Sequence, residues 1–279
     1  MNLENNLREK RNLKKDYYLK GKIHLLHKLP ILRKWIQKSP AFSSSKYAHI
    51  RENIPKISAD ELAEITSKGG KIYIFGLPKS GNVWLTNLIT DVLGLEKDMV
   101  RFTHGGFSTN HFYNKNIFRG VCLTRDTRSI MVSLFHWSST KGGRDKTCIF
   151  NDIEQFYFDY FISYTKFFNT WDQFEERLVG WGIPLIKYEK LRENPIDELE
   201  RLFKRWRIIV SRDEIIRSVE RNSIKNYQSG RVDVKREYIY STHFSRGGED
   251  HLDEIPGNVL SDMNQRYGEK LRRWGYKID

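Results

Sequence analysis

The stretch Lys71 to Val92, KIYIFGLPKSGNVWLTNLITDV, constrains the fold more than any other part of the chain, because it reads as a strand, a glycine-bearing loop and a helix in immediate succession. Ile72, Tyr73, Ile74 and Phe75 form a β-branched and aromatic run that Gly76 ends, the composition of a strand buried in a parallel sheet. From Trp84 the apolar residues fall at Trp84, Leu85, Leu88, Ile89 and Val92, the one-face spacing of a helix packed on that sheet. Between them, Gly76-Leu77-Pro78-Lys79-Ser80-Gly81-Asn82 opens directly into the helix N-terminus. The first N–H groups of a helix lack intrahelical partners and its dipole favours negative charge there, so a loop of this kind suits a nucleotide phosphate. Gly81 lets the main chain approach an anion, and Lys79 adds a mobile full charge. The lysine precedes Ser-Gly instead of following the second glycine, which departs from the Walker A loop of ATPases and GTPases.

A chain of 279 residues is long enough for one good-sized core with an extension. Its two cysteines, Cys122 and Cys148, exclude a disulfide framework and any cysteine-based metal cluster. Cys122 lies in a strand-like run and reads as a small core residue. The N-terminus lacks the apolar segment and small-residue cleavage site of a signal peptide, and the chain nowhere has 18 consecutive apolar residues. A cytoplasmic chain is therefore expected.

The charge is unevenly placed. Residues 1–58 carry 14 Lys or Arg against 4 Asp or Glu, most of the formal +13. Within them, residues 19–38 interleave Leu19, Ile23, Leu25, Leu26, Leu29, Ile31, Leu32, Trp35 and Ile36 with basic residues, and Pro30 divides the run in two. Two uses fit this amphipathic pattern: packing on the main domain, or peripheral contact with an anionic membrane surface. No aromatic-basic platform supports a nucleic-acid partner. Pro40 to Pro55 reads as linker, so we divide the chain into a basic extension over residues 1–56 and a main domain over 57–279. The main domain opens with a short helix from Ala59 to Lys68, started by Ser58 or Asp60 and stopped by Gly69-Gly70.

Further along, Val100 to Gly106 is extended and ends in glycines, and Phe118 to Arg125 reads as a strand leading into a helix from Asp126 to Trp137. Residues 150–179 are rich in rings at helical spacing, most of them expected to be core; Phe107, Phe112, Tyr113, Phe135 and Trp137 are candidates to line an acceptor pocket with a few of them. Pro184 to Glu189 is another strand with a polar exit. Asn194 and Pro195 start a helix to about Trp206, Ser211 with Glu214 forms a capping box, and residues 258–274 make a last amphipathic helix.

Pro78-Lys79-Ser80-Gly81 with Trp84, following a strand, resembles the 5′-phosphate loop of sulfotransferases that use 3′-phosphoadenosine 5′-phosphosulfate (PAPS). That resemblance implies that Lys79, Ser80, Gly81, Asn82, Val83 and Trp84 bind the nucleotide. The family often has two threonines where Asn82 and Val83 stand. The family's catalytic base is a histidine in a Lys-Thr-His segment; Thr103-His104 falls at that place, with Phe102 in the lysine position and Arg101 as the nearest substitute charge. Arg125 and Ser133 have the spacing of the family's 3′-phosphate residues, and an arginine fork suits a phosphate's paired oxygens. Tyr188 matches a tyrosine that contacts adenine, Ser218 is a second adenine candidate, and Ser245-Arg246-Gly247 partly matches a late basic loop, making Arg246 and Gly247 candidates for the 3′-phosphate.

The resemblance implies an α/β domain with a central parallel sheet of about five strands flanked by helices, and the nucleotide at the carboxyl ends of the strands. It implies transfer of a sulfonyl group from PAPS to a hydroxyl or amine of a small-molecule, lipid or carbohydrate acceptor, without a metal. His104 would take the acceptor proton, and Lys79 would stabilise the departing adenosine 3′,5′-bisphosphate (PAP). Two other readings stand beside it: a P-loop phosphotransferase using ATP with magnesium, and a non-catalytic anion- or membrane-binding protein built on the basic extension.

Overall fold

The computed structural model describes residues 56–67, 70–104, 117–139, 150–165, 179, 182–223, 225–226 and 251–278. The basic extension up to residue 55 lies outside the described residues, as does the segment holding Arg246 and Gly247.

Four described strands, β1 (Lys71–Gly76), β2 (Val100–Thr103), β3 (Ile117–Thr124) and β4 (Leu185–Lys187), form one parallel sheet in the order β2-β1-β3-β4. The sheet follows from side-chain alternation. Ile72 and Ile74 of β1, Val121 and Leu123 of β3, and Ile186 of β4 face one apolar core. Phe75, Cys122 and Leu185 face a second, with Tyr73 packed against it. Both faces are thus covered, which is why the strands read as nearly continuous apolar runs. Each fully buried Ile, Leu or Phe contributes about 1.5–3 kcal/mol of transfer free energy.

Helices close the two faces. On the first lie α1 (Ala59–Ser67) and α2 (Asn82–Val92). Ser58, not Asp60, caps α1: the Glu61 N–H donates to Ser58 Oγ at 3.2 Å, and the Ser58 N–H to Glu61 Oε2 at 2.7 Å. On the second face lies α3 (Thr127–Ser139), with Ile130, Met131 and Leu134 inward. Beyond it the ring-rich segment runs as α4 (Ile153–Phe156), a π-helical turn (Tyr157–Phe161) and α5 (Ile162–Thr165). Phe156, Tyr157 and Phe161 are fully covered, in keeping with the expected core role. Phe135 and Trp137 pack against the same core, while Phe107, Phe112 and Tyr113 lie outside the described residues.

After β4 come α6 (Tyr188–Glu193), α7 (Pro195–Trp206), α8 (Arg212–Arg221) and, last, α9 (Gly257–Arg273). The Ser211 capping box forms as expected. A reciprocal pair of bonds ties the end of α7 to β3: Arg119 Nε donates to the Trp206 carbonyl at 2.9 Å, and Trp206 Nε1 donates to the Gly120 carbonyl at 3.0 Å. Burial pushes the Arg119 guanidinium down to about 10.

From the central pair β1 and β3 the chain crosses outward in opposite directions, through α2 to β2 and through α3 to β4. Open α/β sheets with such a reversal place their ligand crevice beyond the carboxyl ends of the two central strands, here β1 and β3.

Candidate functional site

Residues at the carboxyl ends of all four strands converge on that crevice. The loop after β1 has left-handed backbone at Lys79 (φ 65°) and again at Gly81 (φ 92°). Alternation of left-handed with ordinary backbone makes successive N–H groups converge into an anion-binding concavity. A non-glycine residue in this region costs of order 1–3 kcal/mol, so Lys79 is held there by its surroundings. One restraint is visible: Arg125, immediately after β3, donates from a terminal guanidinium nitrogen to the Lys79 carbonyl at 3.0 Å. Gly81 is the N-cap of α2, which opens without a side-chain cap, so the leading N–H groups of that helix face the loop.

Gly81 is required for a second reason. A Cβ there would stand 2.5 Å from Cδ2 of Tyr188, so the backbone presses directly on that ring. Tyr188, the first residue of α6, is buried, with Trp84 edge-on at 6.1 Å and the Arg125 guanidinium carbon 4.4 Å from its ring centroid. Trp84 is fixed in turn by its Nε1–H, which donates to the Asn222 carbonyl at 2.8 Å. Val83 packs against the first core.

Ser80 is fully buried, and its hydroxyl has no hydrogen-bond partner among the described residues. A buried hydroxyl left without a partner is costly, so a ligand oxygen is its natural complement. Asn82 differs from expectation. Its amide does not face out to a phosphate; it donates to the Gly76 carbonyl at 3.2 Å and the Leu77 carbonyl at 2.8 Å, stapling the loop to the strand end. Only its backbone N–H remains for an anion.

His104, just beyond β2, reaches the same place. Its Nδ1 lies 3.3 Å from the Gly76 carbonyl and 3.3 Å from Asn82 Nδ2. Asn82 already donates to two carbonyls, so the tautomer that satisfies the set carries the proton on Nδ1, donates it to Gly76 and leaves Nε2 with a free lone pair. Phe102 packs on the imidazole with ring centroids 4.9 Å apart. His104 is open to solvent at its surface, yet desolvation by the protein packed around its ring holds it below the ordinary histidine range, against an upward pull from the Gly76 carbonyl, and the Lys79 charge adds to the depression. Burial likewise pushes the Lys79 ammonium down to about 8, with the Arg125 charge as the second cause. Lys79, Arg125 and His104 therefore share one site, with Arg125 buried, Lys79 half-buried and His104 open to solvent, and no group of three or more potential metal ligands occurs among the described residues.

Two sequence expectations do not join this cluster. Arg101 is exposed and donates to the Asp98 carbonyl at 3.2 Å, so it does not replace the lysine whose position Phe102 takes. Ser218 is fully covered, and its hydroxyl donates to the Leu88 carbonyl at 3.2 Å, pinning α8 to α2 two turns from the loop. That hydroxyl is committed to packing and is not presented to an adenine. Ser133 is half-buried on α3, eight residues after Arg125, and stays a candidate for the 3′-phosphate. Arg246 and Gly247 lie outside the described residues.

Sequence reasoning also passed over Glu189. Its Oε1 accepts the Asp126 N–H at 3.0 Å and its Oε2 accepts the Tyr276 hydroxyl at 2.9 Å. The Tyr-Glu pair at the end of β4 was the available signal, but nothing local shows that the glutamate meets the next strand and the C-terminal tail.

The model of the sulfotransferase domain family matches residues 107–275. No curated protein matches the chain. Among solved structures, mouse sulfotransferase SULT7A1 complexed with PAP superposes with a TM-score of 0.57 at 16% sequence identity, covering 73% of this chain and 84% of that one. At that identity the likeness concerns the fold. The family match begins after the loop at Lys79 and after His104, so the reading of those residues rests on their own geometry.

Proposed function

Since the chain belongs to the sulfotransferase domain family, we propose that it transfers a sulfonyl group from PAPS to a hydroxyl or amine acceptor, with Lys79 and His104 as the catalytic pair. The observation that carries this reading is their convergence, from the ends of neighbouring strands, on one site beside a buried Ser80 hydroxyl that has no partner among the described residues. The solved SULT7A1 carries PAP, the nucleotide product of such a transfer, which supports the same cofactor here.

The residues fit the group. The loop N–H groups, the Ser80 hydroxyl and Lys79 suit the 5′-phosphate; Arg125 suits the 3′-phosphate; Tyr188 and Trp84, both buried beside them, are the candidates to meet the edge of a base. PAPS supplies an activated sulfonyl group whose bond to the 5′-phosphate oxygen breaks as the bond to the acceptor forms. His104 Nε2 accepts the acceptor proton. Its depressed basicity keeps it neutral, and so competent, at neutral pH. Lys79 meets the negative charge that grows on the departing phosphate oxygen, where exclusion of water strengthens its effect.

A phosphotransferase reading has less support, because the lysine stands before Ser-Gly instead of after the second glycine. The acceptor is a small molecule, a lipid or a carbohydrate. No described helix is long and apolar enough to cross a membrane. The basic segment over residues 1–56 is the candidate for peripheral membrane contact.

Calorimetric titration of the full chain with PAP, adenosine 5′-phosphate and magnesium-ATP, side by side, tests the reading. PAP should bind tightest, with the missing 3′-phosphate costing tenfold or more. Preference for magnesium-ATP, or binding of none of the three, would overturn it.

A further inference from the structure

Strands β3 and β4 run parallel, and their last paired residues are Thr124 and Lys187. The chain keeps step for two residues more. One position on, Arg125 stacks on Tyr188 at 4.4 Å. One position further, the Asp126 N–H donates to Glu189 Oε1 at 3.0 Å. The two groups proposed to meet the 3′-phosphate and the base are therefore followed directly by residues that bond to each other.

This second bond is itself anchored. Glu189 Oε2 accepts the hydroxyl of Tyr276, three residues past the end of α9, at 2.9 Å. Lys187 Nζ lies 5.0 Å from the centroid of the Tyr276 ring. On the other side, the Asp126 carboxylate is held by the Arg128 backbone N–H at 2.8 Å and by its guanidinium at 2.8 Å, with both side chains only 7% exposed. Arg128 also donates to the Lys277 carbonyl at 2.7 Å. Tyr276 and Lys277 thus fasten the ends of both strands, and the Arg125 bond to the Lys79 carbonyl carries the restraint into the phosphate loop.

We propose that Glu189, backed by the Tyr276 hydroxyl, is a positioning residue that sets the spacing of Arg125 and Tyr188 and thereby the preference for a nucleotide bearing a 3′-phosphate. The inference rests on the PAPS reading of the site. Glu189 touches no nucleotide itself: both its oxygens are already engaged, one by the backbone that follows Arg125 and one by the C-terminal tail. Removing the carboxylate frees the N–H of Asp126, lets the β3 and β4 exits separate and blurs the aim of the guanidinium. Glutamine keeps an oxygen for the Asp126 N–H and offers an amide to the Tyr276 oxygen, so it is the conservative rescue.

The experiment compares wild type, Glu189→Ala, Glu189→Gln and Tyr276→Phe in the full chain by three measurements. These are affinity for PAP, affinity for adenosine 5′-phosphate, and amide hydrogen exchange without nucleotide. Glu189→Ala should cut the PAP-over-adenosine 5′-phosphate preference about tenfold and speed exchange at residues 79–82 and 125–127, leaving α8 protected. Glu189→Gln should restore most of both, and Tyr276→Phe, which removes one hydroxyl, should fall between. A Glu189→Ala chain that melts earlier but keeps its preference, or a glutamine variant no better than alanine, overturns the proposal. Should Glu189→Ala not fold, Tyr276→Phe carries the same comparison. Absence of a PAP preference in wild type would instead count against the PAPS reading, and the exchange pattern alone would then decide whether Glu189 holds the two strand ends.

Discussion

Gly81 and Tyr188 touch so closely that a single methyl on the glycine would stand 2.5 Å from the ring. The contact joins the loop that follows β1 to the exit of β4, two strands away across β3. Gly81→Ala therefore meets both a steric block and a left-handed backbone at φ 92°. It should lower stability by about 1–3 kcal/mol, read as a lower melting temperature, and weaken PAP binding by at least tenfold. A variant that binds PAP normally would contradict this account of the loop.

Replacing His104 separates chemistry from binding. His104→Ala should abolish turnover while leaving PAP affinity within about threefold of wild type, because the proposed base faces the acceptor and not the nucleotide. Its pH behaviour has a definite sign. The folded chain holds His104 below its ordinary range, whereas the unfolded chain titrates it near ~6.5. Activity should thus persist below that value before its acidic limb sets in. The stability contributed by keeping His104 neutral is present above about 6.5 and declines as pH falls toward the folded value.

Lys79 should make binding sensitive at the other end of the scale. With its ammonium pushed down to about 8, the nucleotide-free site loses this charge on alkalisation far sooner than an exposed lysine would. PAP affinity should be level below about pH 8 and fall above it. Lys79→Arg should flatten that profile through the alkaline range while lowering the rate, since a fork cannot replace a compact ammonium. Titrations at three or four pH values would show it.

Arg125 is expected to discriminate between nucleotides. Arg125→Met should weaken PAP by about 10- to 100-fold and adenosine 5′-phosphate much less, the loss expected for charge-assisted hydrogen bonds to one phosphate. Equal weakening of both would assign Arg125 to the loop alone, through its bond to the Lys79 carbonyl.

The Arg119 and Trp206 pair supplies a contrast away from the crevice. Trp206→Phe leaves the Gly120 carbonyl without its indole donor and should cost about 1–3 kcal/mol of stability in denaturant unfolding. PAP affinity should not change.

The parts of this fold legible in the sequence were those encoded locally. The β1 run, the α2 spacing and the Ser211 box depend on residues close together in the chain, and each appears where its pattern points. The harder parts depended on partners far away. Asn82 sits where a phosphate donor was expected, yet the Gly76 and Leu77 carbonyls claim its amide once the loop closes. Ser218 lies on the expected helix, but the nearness of Leu88, 130 residues earlier, commits its hydroxyl to packing. Glu189 looked like a polar strand exit because its partners, Asp126 and Tyr276, are brought to it by the sheet and by the tail. Residue type gives the capacity to bond; only the tertiary fold decides with what.

The parallel register of β3 and β4 also limits how this chain can change over evolutionary time. Substitutions on either face of β4 alter packing by degrees, but gain or loss of one residue within it would shift Lys187, Tyr188 and Glu189 together against their partners on β3. Deletion of one residue would bring Glu189 level with Arg125, turning a cation stacked on a ring into an ion pair and cancelling the positive charge available to an anionic ligand. The three-residue strand thus acts as a reading frame for the site, tolerant of spelling but not of length.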